Sequence, residues 1–189
     1  MKQHIQTYKV KLFKALEDEK INRNIENLYN EIIKVWKNRN HIYLCGNGGS
    51  AGNAVHIAND LLYGAGLKNK SGINAEALSA NQSIITCLAN DVGYENIFST
   101  QLKVKANKND ILIVLSGSGN SQNVVNALKV GNLIKMKTFA LLGFDGGKCL
   151  DLANNSIHFK VHDMQIAEDL QLIVMHMIMQ KLSTIVINN

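Results

Sequence analysis

The run Ile111-Leu112-Ile113-Val114-Leu115 breaks into Ser116-Gly117-Ser118-Gly119-Asn120-Ser121, and a helical pattern follows at once. Five apolar residues closed by a glycine-rich turn predict a strand covered on both faces. The same unit occurs earlier, where Ile42-Tyr43-Leu44-Cys45 is followed by Gly46-Asn47-Gly48-Gly49-Ser50-Ala51-Gly52 and a second helical pattern. From residue 41 the chain alternates between the two periodicities. Strands are expected at 41–45, 72–78, 111–115, 137–142 and 155–160. Helices are expected at 50–62, 81–89, 94–106, 121–134, 146–153 and 164–187. Short buried strands alternating with helices give a parallel sheet with right-handed crossovers. Ligands of such sheets sit at the carboxyl ends of the strands, where both turns fall.

Residues 5–37 stand outside this alternation. Apolar positions at three-to-four spacing predict two helices, with a break near Asp18-Glu19-Lys20. This pair should pack on the sheet or on a second copy of the chain. The last helix is apolar around its circumference, with Ile166, Leu170, Leu172, Ile173, Val174, Met175, Met177, Ile178, Met179 and Leu182. Such a helix is expected to be buried on all sides, which points to a subunit interface.

The two turns place backbone N–H groups and serine hydroxyls at helix N-termini, where anions bind. Two turns from different strands can close on one phosphate, with Ser50, Ser116, Ser118 and Ser121 as donors and glycines allowing close approach. Two other patterns compete. Gly46-x-Gly48-x-x-Ala51 fits a dinucleotide fingerprint, with Glu76 as its acidic residue about 10 positions late. Gly48-x-Ser50-x-Gly52 fits a hydrolase nucleophile elbow. Neither explains the second turn. The bland alternative is that these are ordinary turn and cap residues.

Acid–base candidates lie on two helices. His56 and Asp60 are four residues apart, on one face. Glu168 and His176 are eight apart, an angular offset of about 80°. Taken singly, a core histidine means a satisfied hydrogen bond and an acid in a first turn means dipole compensation. Together the four can form an acid–base pair or bind a metal such as Zn²⁺.

The 189 residues, 46% hydrophobic and 19% charged, suit one packed domain. The net charge of +5 suits an anionic ligand, and no basic block interleaved with aromatics argues for nucleic acid. Cys45, Cys87 and Cys149 lack metal or redox spacing and read as reduced core thiols. Without an apolar leader or a run of about 20 apolar residues, a soluble cytoplasmic protein with no membrane partner is expected.

The stretches Cys45-Gly-Asn-Gly-Gly-Ser-Ala-Gly-Asn-Ala-Val-His56, Asn90-Asp91-Val-Gly-Tyr-Glu95 and Leu115-Ser-Gly-Ser-Gly-Asn-Ser121 resemble the sugar isomerase (SIS) domains. Within these, the chain is similar to the sedoheptulose 7-phosphate (phosphoheptose) isomerases along essentially its whole length. The resemblance implies a three-layer α/β/α sandwich whose five-stranded parallel sheet has flavodoxin-like order. It implies one SIS domain over 1–189, with 1–37 as a helical oligomerisation segment and 38–189 as the α/β core. It also implies a homotetramer with active sites between subunits. The implied reaction converts sedoheptulose 7-phosphate to D-glycero-D-manno-heptose 7-phosphate, supplying heptose for lipopolysaccharide or capsule glycans.

Carried over by position, Ser50, Ser116, Ser118 and Ser121, with Gly48, Gly49 and Gly117, hold the phosphate. Asn47 and Asp91 contact the sugar, and Gln165 stands at a substrate position where aspartate is usual. Asp60 and His176 are the acid–base pair, with Glu168 a third catalytic candidate. Some members bind zinc, through positions equivalent to His56, Asp60, Glu168 and His176. The chain departs from the family at Asp60, usually glutamate, at Glu168, usually glutamine, and in the loop Ala77-Leu78-Ser79-Ala80-Asn81. These departures leave two alternatives to the heptose reading: another phosphosugar as substrate, or a non-catalytic SIS protein that binds a sugar phosphate or a partner.

Overall fold

The computed structural model describes residues 1–68 and 71–187. Strands β1 (Ile42–Cys45), β2 (Ala75–Ala77), β3 (Ile111–Ser116), β4 (Lys137–Leu142) and β5 (Asn155–His158) form one parallel sheet in the order β2-β1-β3-β4-β5. All four pairings are parallel, with Ile42 opposite both Ala75 and Ile111. The order reverses direction between β1 and β3, the strands that carry the two turns, so both turns flank the switch-point crevice.

Strict alternation along the central strands divides the core in two. Leu44, Ile111, Ile113, Leu115, Phe139 and Leu141 face a cluster built with helices α2 (Glu19–Asn38), α3 (Gly48–Leu62) and α8 (Met164–Leu182). Tyr43, Cys45, Leu112, Val114, Ala140 and Leu142 face the opposite layer, where α5 (Ile97–Lys105), α6 (Gln122–Ile134) and α7 (Gly147–Leu152) pack. Each fully buried Leu, Ile or Phe contributes roughly 1.5–3 kcal/mol, so these two layers dominate stability. By contrast α1 (Lys2–Leu16) buries no residue completely. It rests on α8 through the partly buried Tyr8, Leu12, Ala15 and Leu16 and a hydrogen bond from the Tyr8 hydroxyl to Asp169. That bond, with burial second, pushes the Tyr8 pKa up to about 12.

The expected break between the leading helices is Asp18, whose side chain caps α2 by accepting from the Lys20 N–H. Several expectations are corrected. Strand 72–78 pairs only over Ala75–Ala77, as befits a short edge. Helix 94–106 opens as a 3₁₀ turn, Tyr94–Asn96, after Gly93 at φ 90°. The last helix stops at Leu182, where the Ser183 and Thr184 hydroxyls bond the carbonyls of Gln180 and Lys181. Within this chain α8 is buried on one face only, with Met177 exposed and Leu172 and Ile173 half-buried. Cys45 and Cys149 are buried as expected, their thiol pKa values raised by burial, but Cys87 is exposed on α4 (Gln82–Asp91). Among the described residues no helix is long and apolar enough to cross a membrane.

Candidate active site

The two turns meet as the sequence requires. A Cβ added at Gly46 would lie 2.8 Å from the Leu115 carbonyl, so the first turn passes directly over the end of β3. Between them is a cavity of about 280 Å³ lined by Asn47, Gly48, Gly49, Ser50, Ser116, Gly117, Ser118 and Ser121, closed by Leu115 and by Met164 and Glu168 from α8. Helices α3 and α6 both start here, where first-turn N–H groups lack the usual backbone acceptor; one of them, the Val124 N–H, is taken by Asn123 Oδ1 at 3.0 Å. Asp18, Asn81 and Asp163 cap α2, α4 and α8 with their side chains, whereas Asn47 and Ser121 make no such bond at α3 and α6. The first-turn N–H groups that remain leave the dipole ends of α3 and α6 open to an anion.

The hydroxyls are set to donate. Ser116 Oγ accepts the Gly119 N–H at 3.0 Å, Ser118 Oγ the Asn120 N–H at 3.3 Å, and Ser50 Oγ the Gln171 amide at 3.2 Å. Each keeps its single proton for another acceptor. Asn47 is held rather than free: it exchanges two hydrogen bonds with Asn123 and accepts a third from Tyr94 Oη. Tyr94 belongs to the stretch 90–95 that carries the resemblance, though with no role assigned to it; Asn123 has no sequence signal beyond being an amide close to the second motif.

Three groups converge further along α3. His56 Nε2 lies 2.9 Å from His176 Nε2 and 3.4 Å from Asp60 Oδ2, and His176 Nε2 is 3.7 Å from the same oxygen. Two imidazoles and one carboxylate, mutually within 4.8 Å, offer three convergent ligand atoms. Zinc at bond lengths of about 2.0–2.2 Å takes such a set and keeps its fourth position for water or substrate. The donors therefore fit a borderline divalent cation. Both histidines are exposed and Asp60 is half-buried.

Helices α3 and α8 lie side by side and run in the same direction, for their contacts advance together. Gly49 meets Glu168, Asn53 meets Glu168 and Gln171, His56 meets His176, and Gly64 beyond the end of α3 meets Met179. This register separates two residues that the sequence placed together. An offset of eight residues turns a helix by only about 80° but advances it by about 12 Å. Glu168 consequently lies at the cradle end, its carboxylate 2.3 Å from where a Gly49 Cβ would be, and does not join His56, Asp60 and His176. Asp91 and Gln165 do not line the cavity. Asp91 ends α4, where it accepts from Cys87 Sγ and Asn90 Nδ2; Gln165 is exposed in the first turn of α8. Glu76, the acid that a dinucleotide site needs, is paired with Lys105.

A family model described as SIS domain matches residues 7–143. A phosphoheptose isomerase of Helicobacter pylori (strain ATCC 700392 / 26695) is 34% identical over 178 residues, covering 94% of this chain and 91% of that protein. A phosphoheptose isomerase of Aliarcobacter butzleri is 39% identical over 148 residues, 78% of each chain. The solved phosphoheptose isomerase of Neisseria gonorrhoeae superposes with a TM-score of 0.86 at 24% identity, over 97% of this chain and 99% of that one, which shows the shared fold.

Proposed function

The chain belongs to the SIS-domain family and, within it, to the phosphoheptose isomerases, and from that premise we propose that it interconverts sedoheptulose 7-phosphate and D-glycero-D-manno-heptose 7-phosphate. One observation carries the reading. The phosphate turns and the His56–Asp60–His176 cluster share helix α3, with Ser50 and His56 six residues apart, about 9 Å along the axis. An open-chain heptose is of that order of length. Its phosphate fills the cradle, held by Ser50, Ser116, Ser118, Ser121 and the adjoining N–H groups, and its carbonyl end reaches the cluster.

Isomerisation requires removal of the proton beside the carbonyl, an enediol, and return of the proton to the neighbouring carbon. Asp60 and His176 are assigned to these transfers by the resemblance, and the geometry supports the pairing: the Asp60 carboxylate lies 3.7 Å from His176 and 3.4 Å from His56 where the carbonyl end lies. Glu168, at the cradle end, faces the sugar hydroxyls nearer the phosphate. Remote phosphate binding fixes the reacting carbons in position. His56, Asp60 and His176 would hold zinc, which when bound polarises a carbonyl and stabilises negative charge on its oxygen; a coordinated imidazole nitrogen takes no proton, so ligation and proton transfer at His176 Nε2 are alternatives that the assay with and without Zn²⁺ separates. The product would supply heptose for surface glycans, in the cytoplasm where sugar phosphates are made.

Proton NMR of purified protein with sedoheptulose 7-phosphate, with and without Zn²⁺, tests the assignment. An aldoheptose 7-phosphate signal is expected, falling about 10²-fold or more in His176→Ala and Asp60→Ala. Near-normal turnover in both variants would refute the assigned roles. A second reading, another phosphosugar, is favoured by one observation: Asn81, in the altered loop, spends its side chain capping α4. A panel of phosphorylated ketoses decides between them.

A further inference from the structure

Gln171 is fully buried on a helix whose other buried residues are apolar. Its amide sits in a chain of three hydrogen bonds whose polarity is fixed from one end. The Glu168 backbone carbonyl can only accept, so the Asn53 group 3.0 Å from it is Nδ2. The same Nδ2 lies 3.0 Å from the Gln171 side chain, which must therefore present Oε1 to it. That leaves Gln171 Nε2 facing Ser50 Oγ at 3.2 Å, and an amide N–H can only donate. Ser50 has one proton and, among the described residues, no protein group takes it. Ser50 is 4% exposed and lines the phosphate cavity, so the cavity is where an acceptor for that proton can stand.

We propose that Asn53 and Gln171 are positioning residues that set the Ser50 hydroxyl as an obligate donor to the substrate phosphate. The inference rests on the reading of the cavity as a phosphate cradle. A relay of this kind costs nothing at binding, because the donor is already oriented and no acceptor must be given up. Reversing the polarity is worse than removing it. In Asn53→Asp the carboxylate cannot donate to Gln171 Oε1. The glutamine amide turns over, Oε1 faces Ser50, and the hydroxyl donates to it instead of to the ligand. In Asn53→Ala the relay is only cut, and Ser50 can still turn to the phosphate.

The experiment measures KM for sedoheptulose 7-phosphate and Ki for inorganic phosphate in Asn53→Asp, Asn53→Ala, Gln171→Met and Ser50→Ala, and in each of the first three combined with Ser50→Ala. Losing one hydrogen bond to a charged group corresponds to about tenfold or more in affinity. Ser50→Ala and Asn53→Asp are each expected to raise both constants by about tenfold. Asn53→Ala and Gln171→Met should raise them less than about threefold, and none should add to the effect of Ser50→Ala. Equal losses in Asn53→Asp and Asn53→Ala would overturn the relay. So would a loss in Asn53→Asp that persists when Ser50 is alanine, since it would be charge repulsion. If Asn53→Asp does not fold, Gln171→Met decides alone: an effect as large in Ser50→Ala as in the parent is packing and overturns the relay. An unchanged Ki in Ser50→Ala would instead remove Ser50 from the phosphate site, and the relay with it.

Discussion

His41 shows how a single side chain can report on the fold from outside the site. It precedes β1, stacks on Tyr43 with ring centroids 4.6 Å apart, and has Asn74 Nδ2 2.7 Å from its Nδ1. Burial lowers its pKa from 6.5, outweighing the raising effect of Asp110 and Glu76. The folded state thus favours neutral His41, while the unfolded chain takes up a proton below about pH 6.5. The stabilising contribution is whole above that value and is lost as the pH falls through the lower folded-state pKa. Denaturant midpoints at pH 7.5 and 5.5 should fall with acid in the parent and fall less in His41→Gln; equal slopes would show that His41 does not titrate on folding. At this scale the sequence was only partly legible. His56, Asp60 and His176 could be picked by residue type and helical spacing. Asn53 and Gln171 could not, because an amide's direction acquires meaning only when α3 lies against α8. Glu168 stands apart from that cluster, at the cradle end, because an angular offset on a helix says nothing about axial rise.

Among the elements, the turn after β3 is held by close backbone packing as well as by its own side chains, Asn120 Oδ1 accepting the Lys148 N–H at 3.1 Å. Gly119 has φ +66°, and an added Cβ would stand 1.9 Å from the Gly146 carbonyl oxygen, while the Gly119 carbonyl accepts the Cys149 N–H at 3.0 Å. The β3–α6 and β4–α7 turns are therefore locked together at a point where only glycine fits. Gly119→Ala should cost about 2 kcal/mol or more, through a left-handed alanine and a backbone collision. It should also weaken phosphate binding, because Ser118 and Ser121 flank the displaced residue. Thermal unfolding and phosphate inhibition of one preparation check both, and a stable variant with unchanged Ki would show that the turn can shift freely. The strands were legible because β1 and β3 are buried on both faces and read as unbroken apolar runs. The end of α8 was not. Ile185, Val186 and Ile187 continue the apolar pattern, but Ser183 and Thr184 draw off the terminal carbonyls before the pattern ends.

For the whole molecule, what remains exposed is as informative as what is buried. Leu62 is 56% exposed and Tyr63 69%, at the end of α3; Val55 and Met177, also exposed, immediately flank His56 and His176 in sequence. On α1, Ile5, Val10 and Phe13 are exposed as well. Scattered apolar residues need no explanation, but exposed apolar residues on the same helices as polar catalytic candidates do. An acid–base pair open to bulk water gains little from electrostatics and leaves an enediol unprotected, so catalysis requires the cluster to be covered. A second copy of the chain is the covering that the resemblance implies, and closed symmetry would protect every cluster at once. Light scattering should accordingly give a particle of four times the 20.9 kDa chain mass. Leu62→Glu with Tyr63→Glu should lower both the particle mass and the turnover, although neither residue reaches the phosphate cavity. A 20.9 kDa species with full activity would mean that the cluster works uncovered, and the apolar rim would then need another occupant.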